Sequence, residues 1–248
     1  MRRWSPASEP MCGEPVVDPW SVVVVVPAHD EEATIAECVT SIRAAVQRAL
    51  VAESLIVVVA DRCSDDTVAR ASRALGPDGV VIDVDVLSPG AARRVGARIG
   101  LERSRRPLQS IWIANTDADS IVPADWIAAQ LRHADRGVAA VAGIVRLQRP
   151  SHDLRARFGR HYRWDPRRPH PHVHGANLGV RADAYDAVDG WPGIGCSEDH
   201  ALWNSIRAGV WPTVSATDVW VTTSARTRGR VSGGFSGDLR RISEADGA

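Results

Sequence analysis

Lysine is absent from this 248-residue sequence, and all 30 strongly basic side chains are arginines. They balance 30 acidic residues, so the formal net charge is zero. A chain without a net positive field is not recruited to nucleic acid by its overall charge, and no recognisable nucleic-acid-binding motif is present. We therefore expect no nucleic-acid partner, and we interpret the missing lysine as coding bias.

Cysteine pairs and long apolar runs are also missing. The four cysteines, Cys12, Cys38, Cys63 and Cys196, form no CxxC motif and no Cys/His ligand spacing. Neither a disulfide framework nor a zinc site is therefore expected. The purely aliphatic runs are short, with five residues in Val22–Val26 and six in Leu55–Ala60, whereas a membrane helix needs about 20. With no secretory signal recognisable, these absences predict a cytoplasmic protein without a transmembrane segment.

Short apolar runs alternate with helix-like segments through the first half of the sequence. Strands that alternate with helices indicate βαβ units, and therefore an α/β fold with a mostly parallel, Rossmann-like sheet flanked by helices. Loops after the strands then meet at one edge of the sheet, where such folds bind ligands. Buried strands are predicted at Ser21–Val26 and Leu55–Ala60, and a third, short strand at Val80–Val84. A fourth buried strand is predicted in the apolar run that begins at Ile111 and ends in the acids Asp117 and Asp119.

Two carboxylates follow the fourth of these strands, in the tripeptide Asp117-Ala118-Asp119. On one face of a loop they would form a hard-oxygen site for Mg²⁺ or Mn²⁺, which keep open positions for substrate phosphates. An isolated DxD motif is more often a solvated turn, because aspartate is favoured in turns. The other motifs of the chain decide between the two interpretations.

The second half of the sequence departs from this alternation. A helix over Pro123–Asp135 and a strand over Val138–Leu147 lead into segment 146–170, whose eight arginines and two aspartates give a formal charge of +6. Such a run is usually a solvated face. Alternatively, these arginines would bind an anionic or lipid-linked substrate, or the inner face of a membrane. His172 and His174 could ligate a metal, but no third ligand follows at a characteristic spacing.

The two ends of the sequence are expected to be irregular. Residues 1–20 contain four prolines and no periodicity, which predicts a poorly ordered extension. Near the other end, Ser197 is placed to cap a helix, and Thr222–Leu239 is expected to be a loop rich in arginine and glycine. Arginine matches phosphate oxygens and glycine supplies hinges, so Arg226 and Arg228 are expected to close over a diphosphate. The alternative is a frayed, solvated terminus.

Six motifs resemble glycosyltransferase family 2 in their order and spacing, over about residues 21–210: VVVVVPAHDEEATIAECVTSI, VVVADRCSDDT, PGAARRVG, NTDADSIVPADWI, HGANLGVRADAY and SEDHALWNSIRAGV. The resemblance implies a single GT-A domain, with a nucleotide-sugar half at 21–119 and an acceptor half at 120–248. It also implies a nucleoside-diphosphate sugar donor, a divalent metal at the DxD motif, and inversion at the sugar carbon.

The resemblance assigns roles by position. Asp199, next to Glu198, matches the general base, and Asp61 matches the acid that hydrogen-bonds the nucleotide base. Asp117 and Asp119 match the metal ligands. The implied nucleotide-sugar-binding set is Pro27, His29, Glu31, Asp61, Arg93, Asp117, Ala118, Asp119, Arg226 and Arg228, and the implied acceptor-binding set is His174, Gly175 and Asn177.

Some positions depart from the family pattern. Ala60 stands where many relatives have an acid, and Arg62-Cys63 replaces the more familiar Gly-Ser. The base therefore stays open, with UDP-sugars favoured over GDP-sugars. Because the chain lacks the full QxxRW motif and the membrane helices of processive synthases, we expect transfer of one sugar to a hydroxyl acceptor.

Two rival functions remain at this point. A nucleotidyltransferase would need a glycine-rich, basic loop after the first strand, where this chain is acidic. A non-catalytic nucleotide-sugar-binding module would keep the DxD motif but would not need Glu198-Asp199. The sequence also leaves a homodimer open.

Overall fold

The computed structural model describes residues 20–165, 167–194, 197–227 and 235–244. The predicted N-terminal extension thus lies outside the described residues, except for Trp20, whose ring packs edge-on against Trp112 at 6.1 Å between centroids. The first half alternates as the sequence predicts. Its elements are β1 (Ser21–Ala28), α1 (Ile35–Arg48), β2 (Glu53–Asp61), α2 (Thr67–Leu75), β3 (Gly79–Val84), α3 (Pro89–Arg103) and β4 (Ile111–Asn115).

The second half contains more regular structure than the sequence indicates. Its elements are β5 (Ser120–Ile121), α4 (Trp126–Ala134), β6 (Ala140–Gln148), α5 (His152–His161), β7 (Leu178–Arg181), α6 (Ala182–Ala187), α7 (Glu198–Ala208), β8 (Thr213–Ser224) and α8 (Phe235–Glu244).

None of the helices in the described residues combines the length and apolar composition that crossing a bilayer requires.

The expectation that Thr222–Leu239 is a loop is wrong at both ends. Thr222–Ser224 completes β8, and Phe235–Leu239 forms the first half of α8. Leu239 is fully buried, and the Phe235 ring packs edge-on against Phe158 of α5 at 6.1 Å. These apolar contacts come from distant parts of the chain, so the local sequence does not reveal them. The arginine- and glycine-rich stretch 228–234 lies outside the described residues.

The eight strands of the described ranges form one mixed sheet, in the order β3-β2-β1-β4-β7-β6-β8-β5. Its pairings are parallel between β3, β2, β1 and β4 and between β6 and β8. Strand β7 runs antiparallel between β4 and β6, and β5 pairs antiparallel with β8. This arrangement confirms the α/β class with a mostly parallel sheet flanked by helices.

Helix α3 packs unusually close to the sheet because of two glycines on its inner face. A Cβ atom at Gly96 would lie 2.5 Å from Val25 Cγ1, and one at Gly100 would lie 2.2 Å from Val23 Cγ1. Real Cβ atoms do not approach other atoms that closely, so larger residues here would push the helix away from β1. The close packing brings Arg93, one turn before Gly96, down to the carboxyl edge of the sheet.

An irregularity between β6 and β8 is filled by Asn177. Gly143 pairs with Ala216 but Ile144 pairs with Trp220, so three residues of β8 bulge out of the ladder. The Asn177 Nδ2 group donates to the carbonyls of Ile144 and Val219, at 2.8 and 3.1 Å. Its Oδ1 atom accepts the indole N–H of Trp126 at 2.9 Å. The side chain thus replaces ladder hydrogen bonds that the bulge removes.

We expect the substitution Asn177→Leu to lower the free energy of unfolding by roughly 2–4 kcal/mol, because it leaves buried polar groups without partners. Urea denaturation monitored by circular dichroism measures the change. Asn204→Leu is the matched control, because Asn204 is exposed on α7 and its loss should cost no more than about 0.5 kcal/mol. Equal losses in the two variants would contradict a structural role for Asn177.

Candidate active site

A cavity of about 620 Å³ opens at the carboxyl ends of β1, β2 and β4, and residues from both halves of the chain line it. Two of the expected site residues are not among them: Asn177 is buried below, and Arg228 lies outside the described residues. Because Asn177 is fully buried and bonded to the protein, it offers no surface to an acceptor. The expected residues that do line the cavity are Pro27, His29, Glu31, Asp61, Arg93, Asp117, Ala118, Asp119, His174, Gly175, Glu198, Asp199 and Arg226.

Arg93 joins the two acidic motifs at the centre of this cavity. Its Nη2 atom lies 2.5 Å from Asp117 Oδ1, and its Nη1 atom lies 3.0 Å from Glu198 Oε1. Its side chain is only 4% exposed, and the Trp191 ring covers it at 5.1 Å from Cζ. A Cβ atom at Gly175 would lie 2.6 Å from that Cζ, so only glycine fits against the guanidinium. Arg93 therefore fixes the position of both acids relative to each other.

The start of α7 orients the second acidic motif. Ser197 occupies the N-cap position but has a φ angle of 58° and makes no side-chain hydrogen bond to the helix, so the predicted cap does not form. Glu198 packs against Gly90, where a Cβ atom would lie 2.7 Å from Glu198 Cγ. The Asp199 carboxylate accepts the backbone N–H groups of Gly175 at 3.1 Å and His200 at 2.8 Å.

Helix α1 holds the loop that carries the DxD motif through two side-chain hydrogen bonds to its backbone. The Cys38 thiol donates to the backbone carbonyl of Asp117 at 3.3 Å. The Ser41 hydroxyl accepts the backbone N–H of Val122 at 3.1 Å. Cys38 and Cys63 are free thiols, as expected, while Cys12 and Cys196 lie outside the described residues. Cys38 thus does more than fill apolar space.

Asp119 and Glu31 are two nearly buried carboxylates that share one arginine partner. Arg226 Nη2 lies 3.1 Å from Asp119 Oδ2 and 2.5 Å from Glu31 Oε1. The Thr223 hydroxyl, which the sequence did not single out, donates to Asp119 Oδ1 at 3.3 Å. Burial, together with the neighbouring Asp117 charge, raises the pKa of Asp119 to about 6, although Arg226 and Thr223 act in the opposite direction.

Asp61 shapes a wall of the cavity by holding the loop that follows β3. Its Oδ1 atom accepts the backbone N–H groups of Val86 at 2.9 Å and Leu87 at 3.2 Å, and its Oδ2 atom accepts that of Ser88 at 3.2 Å. Leu87 is held in the left-handed region at φ 52° and faces the cavity. His29 Nδ1 lies 2.6 Å from the Asp61 carbonyl oxygen. Much of the hydrogen-bonding capacity of Asp61 therefore serves the protein itself.

Aromatic residues close the side of the cavity on which His174 lies. His174 Nε2 lies 3.0 Å from the hydroxyl of Tyr162, and this hydroxyl accepts the backbone N–H of Val145 at 3.2 Å. His172 stacks on Tyr162 at 3.8 Å between ring centroids, and burial lowers the pKa of His172 to about 4. Phe235 packs edge-on against His174 at 5.3 Å. The sequence did not predict this group, because Tyr162 stands among arginines.

The described residues contain one group of three potential metal ligands whose atoms lie within 4.8 Å of one another, and it consists of Asp30, Cys63 and Asp65. Its oxygens accept hydrogen bonds from Ser64 and Thr67, so it is explained as a loop contact. The pair Asp117 and Asp119 offers hard carboxylate oxygens at the cavity without a third ligand in place. That donor set fits Mg²⁺ or Mn²⁺ if substrate oxygens complete it.

The family model described as "Glycosyltransferase like family 2" matches residues 19–232. The chain belongs to this family. No curated protein matches the sequence significantly. The match covers the whole cavity except the α8 residues, and it confirms the resemblance inferred from the six motifs.

Several solved structures share the fold. The mannosyltransferase PcManGT from Pyrobaculum calidifontis, in complex with GDP-Man and Mn²⁺, has a TM-score of 0.65 at 21% identity, over 87% of this chain and 60% of its own. TarS 1–349 of S. aureus, in complex with UDP-GlcNAc, has a TM-score of 0.62 at 14% identity, over 90% of this chain and 65% of its own. This chain thus spans less than two thirds of either relative, and the likeness establishes the GT-A fold.

We expect the free energy of unfolding to depend on Asp119 in a metal-free, chelator-treated sample. The folded protein holds a proton on Asp119 more tightly than the unfolded chain does, so this carboxyl lowers stability as the pH rises from about 4 to about 6. Asp119→Asn should therefore be more stable than the original protein by about 1–3 kcal/mol at pH 8, and by less at pH 4.5. Urea denaturation at both pH values measures this. A variant that is less stable at pH 8 would show that pairing with Arg226 outweighs burial.

Proposed function

We propose that this chain transfers one sugar from a nucleoside-diphosphate sugar to a hydroxyl acceptor, with inversion at the sugar carbon and dependence on Mg²⁺ or Mn²⁺. The main support is the buried Arg93, which holds Asp117 and Glu198 against one cavity although they come from different halves of the chain. A reaction that loses a diphosphate on one side of a carbon and gains an oxygen on the other needs a cation, held by carboxylates, on the first side and a proton acceptor on the second.

The charge of the cavity supports the need for a cation. Six carboxylates line it, and the guanidinium groups of Arg93, Arg226 and Arg241 can balance at most half of their charge. The six belong to Glu31, Asp61, Asp117, Asp119, Glu198 and Asp199. An anionic diphosphate would be repelled by this surplus of carboxylates. A divalent ion held by the two DxD acids would act as a Lewis acid toward the leaving diphosphate and would stabilise its developing charge.

Asp199 is proposed as the general base. The N–H groups of Gly175 and His200 orient its carboxylate, and it lines the cavity beside His174. Asp199 would take the proton of the acceptor hydroxyl while the hydroxyl oxygen forms its bond to the anomeric carbon. The bond from the same carbon to the diphosphate breaks as the new bond forms, and the diphosphate leaves with the electron pair. Proton removal of this kind contributes typically ~10²–10⁴-fold to the rate.

Substrate identity is proposed only by class. PcManGT was solved with GDP-Man and TarS with UDP-GlcNAc, so both bases stay candidates here, and we favour UDP. Asp61 would either contact the nucleotide base directly or act indirectly. In the second case, its hydrogen bonds to Val86, Leu87 and Ser88 would shape the surface that contacts the base. The arginines of segment 146–170 favour an anionic acceptor, which in lipid-linked form would be met at the inner face of a membrane.

The rival functions fit the cavity less well. A nucleotidyltransferase needs basic groups where the triphosphate lies, but the loop after β1 presents His29, Asp30 and Glu31. A non-catalytic binding module has no use for a carboxylate oriented as Asp199 is. The two rivals also differ from a transferase in the products that form from a nucleotide sugar.

The donor class is tested by measuring thermal unfolding with UDP-, GDP- and TDP-sugars, with and without Mn²⁺. A ligand that binds only the folded state raises its apparent stability. We expect one base to stabilise the protein, and only when Mn²⁺ is present. The proposal is wrong if no nucleotide sugar stabilises the protein in the presence of Mn²⁺.

We expect Asp199→Asn to lower turnover by at least about a hundredfold while donor affinity changes by less than about twofold, since the substitution removes the proton acceptor but little volume. Turnover is measured as nucleoside diphosphate released, and affinity by calorimetry. Asp186→Asn is the control, because Asp186 is exposed on α6. Unchanged turnover in Asp199→Asn would assign the base to another residue.

A further inference from the structure

Arg226 makes contact with the carboxylate that the metal needs. Its Nη2 atom is shared between Asp119 Oδ2 and Glu31 Oε1, and both of these side chains are less than a tenth exposed. The sequence predicts that Arg226 lies in a flexible loop and closes over the diphosphate. In the structure, Arg226 lies two residues after the end of β8, and its guanidinium contacts the buried acids.

We propose that Arg226 is an internal counter-ion, which a divalent cation displaces from Asp119 and which then binds the donor diphosphate. The proposal rests on the proposed function, because it requires Asp119 to be a metal ligand. Two cations within a few ångströms of one carboxylate repel each other strongly in a partly buried site. Arg226 and the metal therefore compete for Asp119, and the metal can bind there only as Arg226 leaves.

The surroundings of the pair determine which partner moves. Glu31 is fixed, because its backbone N–H donates to the Thr67 hydroxyl at 2.7 Å and its Oε2 atom accepts the Thr34 hydroxyl at 3.0 Å. The Arg226 side chain is 32% exposed and has a long, flexible stem. The guanidinium is thus the group that can turn away, and its paired donors match the oxygens of a diphosphate.

This exchange couples the metal to the donor. Metal alone must separate Arg226 from Asp119 and gives it no new partner. Metal that arrives with a diphosphate provides one, so each ligand should strengthen the binding of the other, and the coupling is reciprocal. Until then, Arg226 neutralises acids that would otherwise repel each other in the empty cavity.

The test measures Mn²⁺ affinity by calorimetry at pH 8, with and without saturating UDP, and with GDP in parallel. Arg226→Met keeps the apolar stem and removes the charge. It should bind Mn²⁺ alone about fivefold or more tighter than the original protein, and the strengthening of Mn²⁺ binding by nucleotide should fall by a similar factor. Arg226→Gln, which keeps a hydrogen-bonding group, should behave in the same way and guards against misfolding of the first variant.

Two further variants separate the possible outcomes. Arg94→Met is the matched control, because the Arg94 guanidinium bonds Asp189 and the Trp191 carbonyl at 2.9 and 3.0 Å, and it should leave Mn²⁺ affinity unchanged. Asp119→Asn should abolish Mn²⁺ binding. If the original protein binds Mn²⁺ through Asp119 but both Arg226 variants bind it no tighter, the exchange is wrong. If Asp119→Asn binds Mn²⁺ with nucleotide as the original protein does, the proposed metal site itself is wrong.

Discussion

The site depends on one buried charge. A guanidinium that is almost completely removed from water is tolerated only where carboxylates stay beside it, because removing a partner leaves an uncompensated charge in a medium of low polarity. Asp117 lies 24 residues from Arg93 in the sequence and Glu198 lies 105 residues away. The ion pairs therefore join the DxD loop and the α7 helix into one unit, and neither acid can shift without the other.

The sheet brings this charge to its place. Gly96 and Gly100 let α3 settle onto the valines of β1, and the depth of the helix sets the depth of Arg93. From the other side, antiparallel β7 directs the preceding turn, with His174 and Gly175, over the same guanidinium. Helix α3 thus carries Arg93 into the site, and the turn before β7 packs against its guanidinium. Below them, Asn177 closes the gap between β6 and β8, so the turn that carries Gly175 is anchored in the core.

Much of the first half could be predicted from the sequence, since valine runs and helical periodicity are local signals and the DxD acids follow directly from a strand. The contacts that the sequence does not predict depend on partners that are distant along the chain. Nothing in the sequence near Arg226 indicates that Glu31 and Asp119 will bind it, and the hydrogen bonds of Asp61 come from a loop more than twenty residues later. Nor does the residue type indicate the left-handed conformation of Ser197, because an N-cap serine ordinarily has β-region angles.

The contacts of Gly90 and Gly175 have an evolutionary consequence. Each glycine leaves out the one atom that would collide with the ion-paired group, Glu198 in the first case and Arg93 in the second. A lineage that replaced the arginine by a small neutral residue would remove the steric demand at the second glycine, and the demand at the first would weaken once Glu198 lost its partner. Positions 90, 93, 175 and 198 should therefore vary together among homologues, as one inherited block with members from three separate segments of the chain.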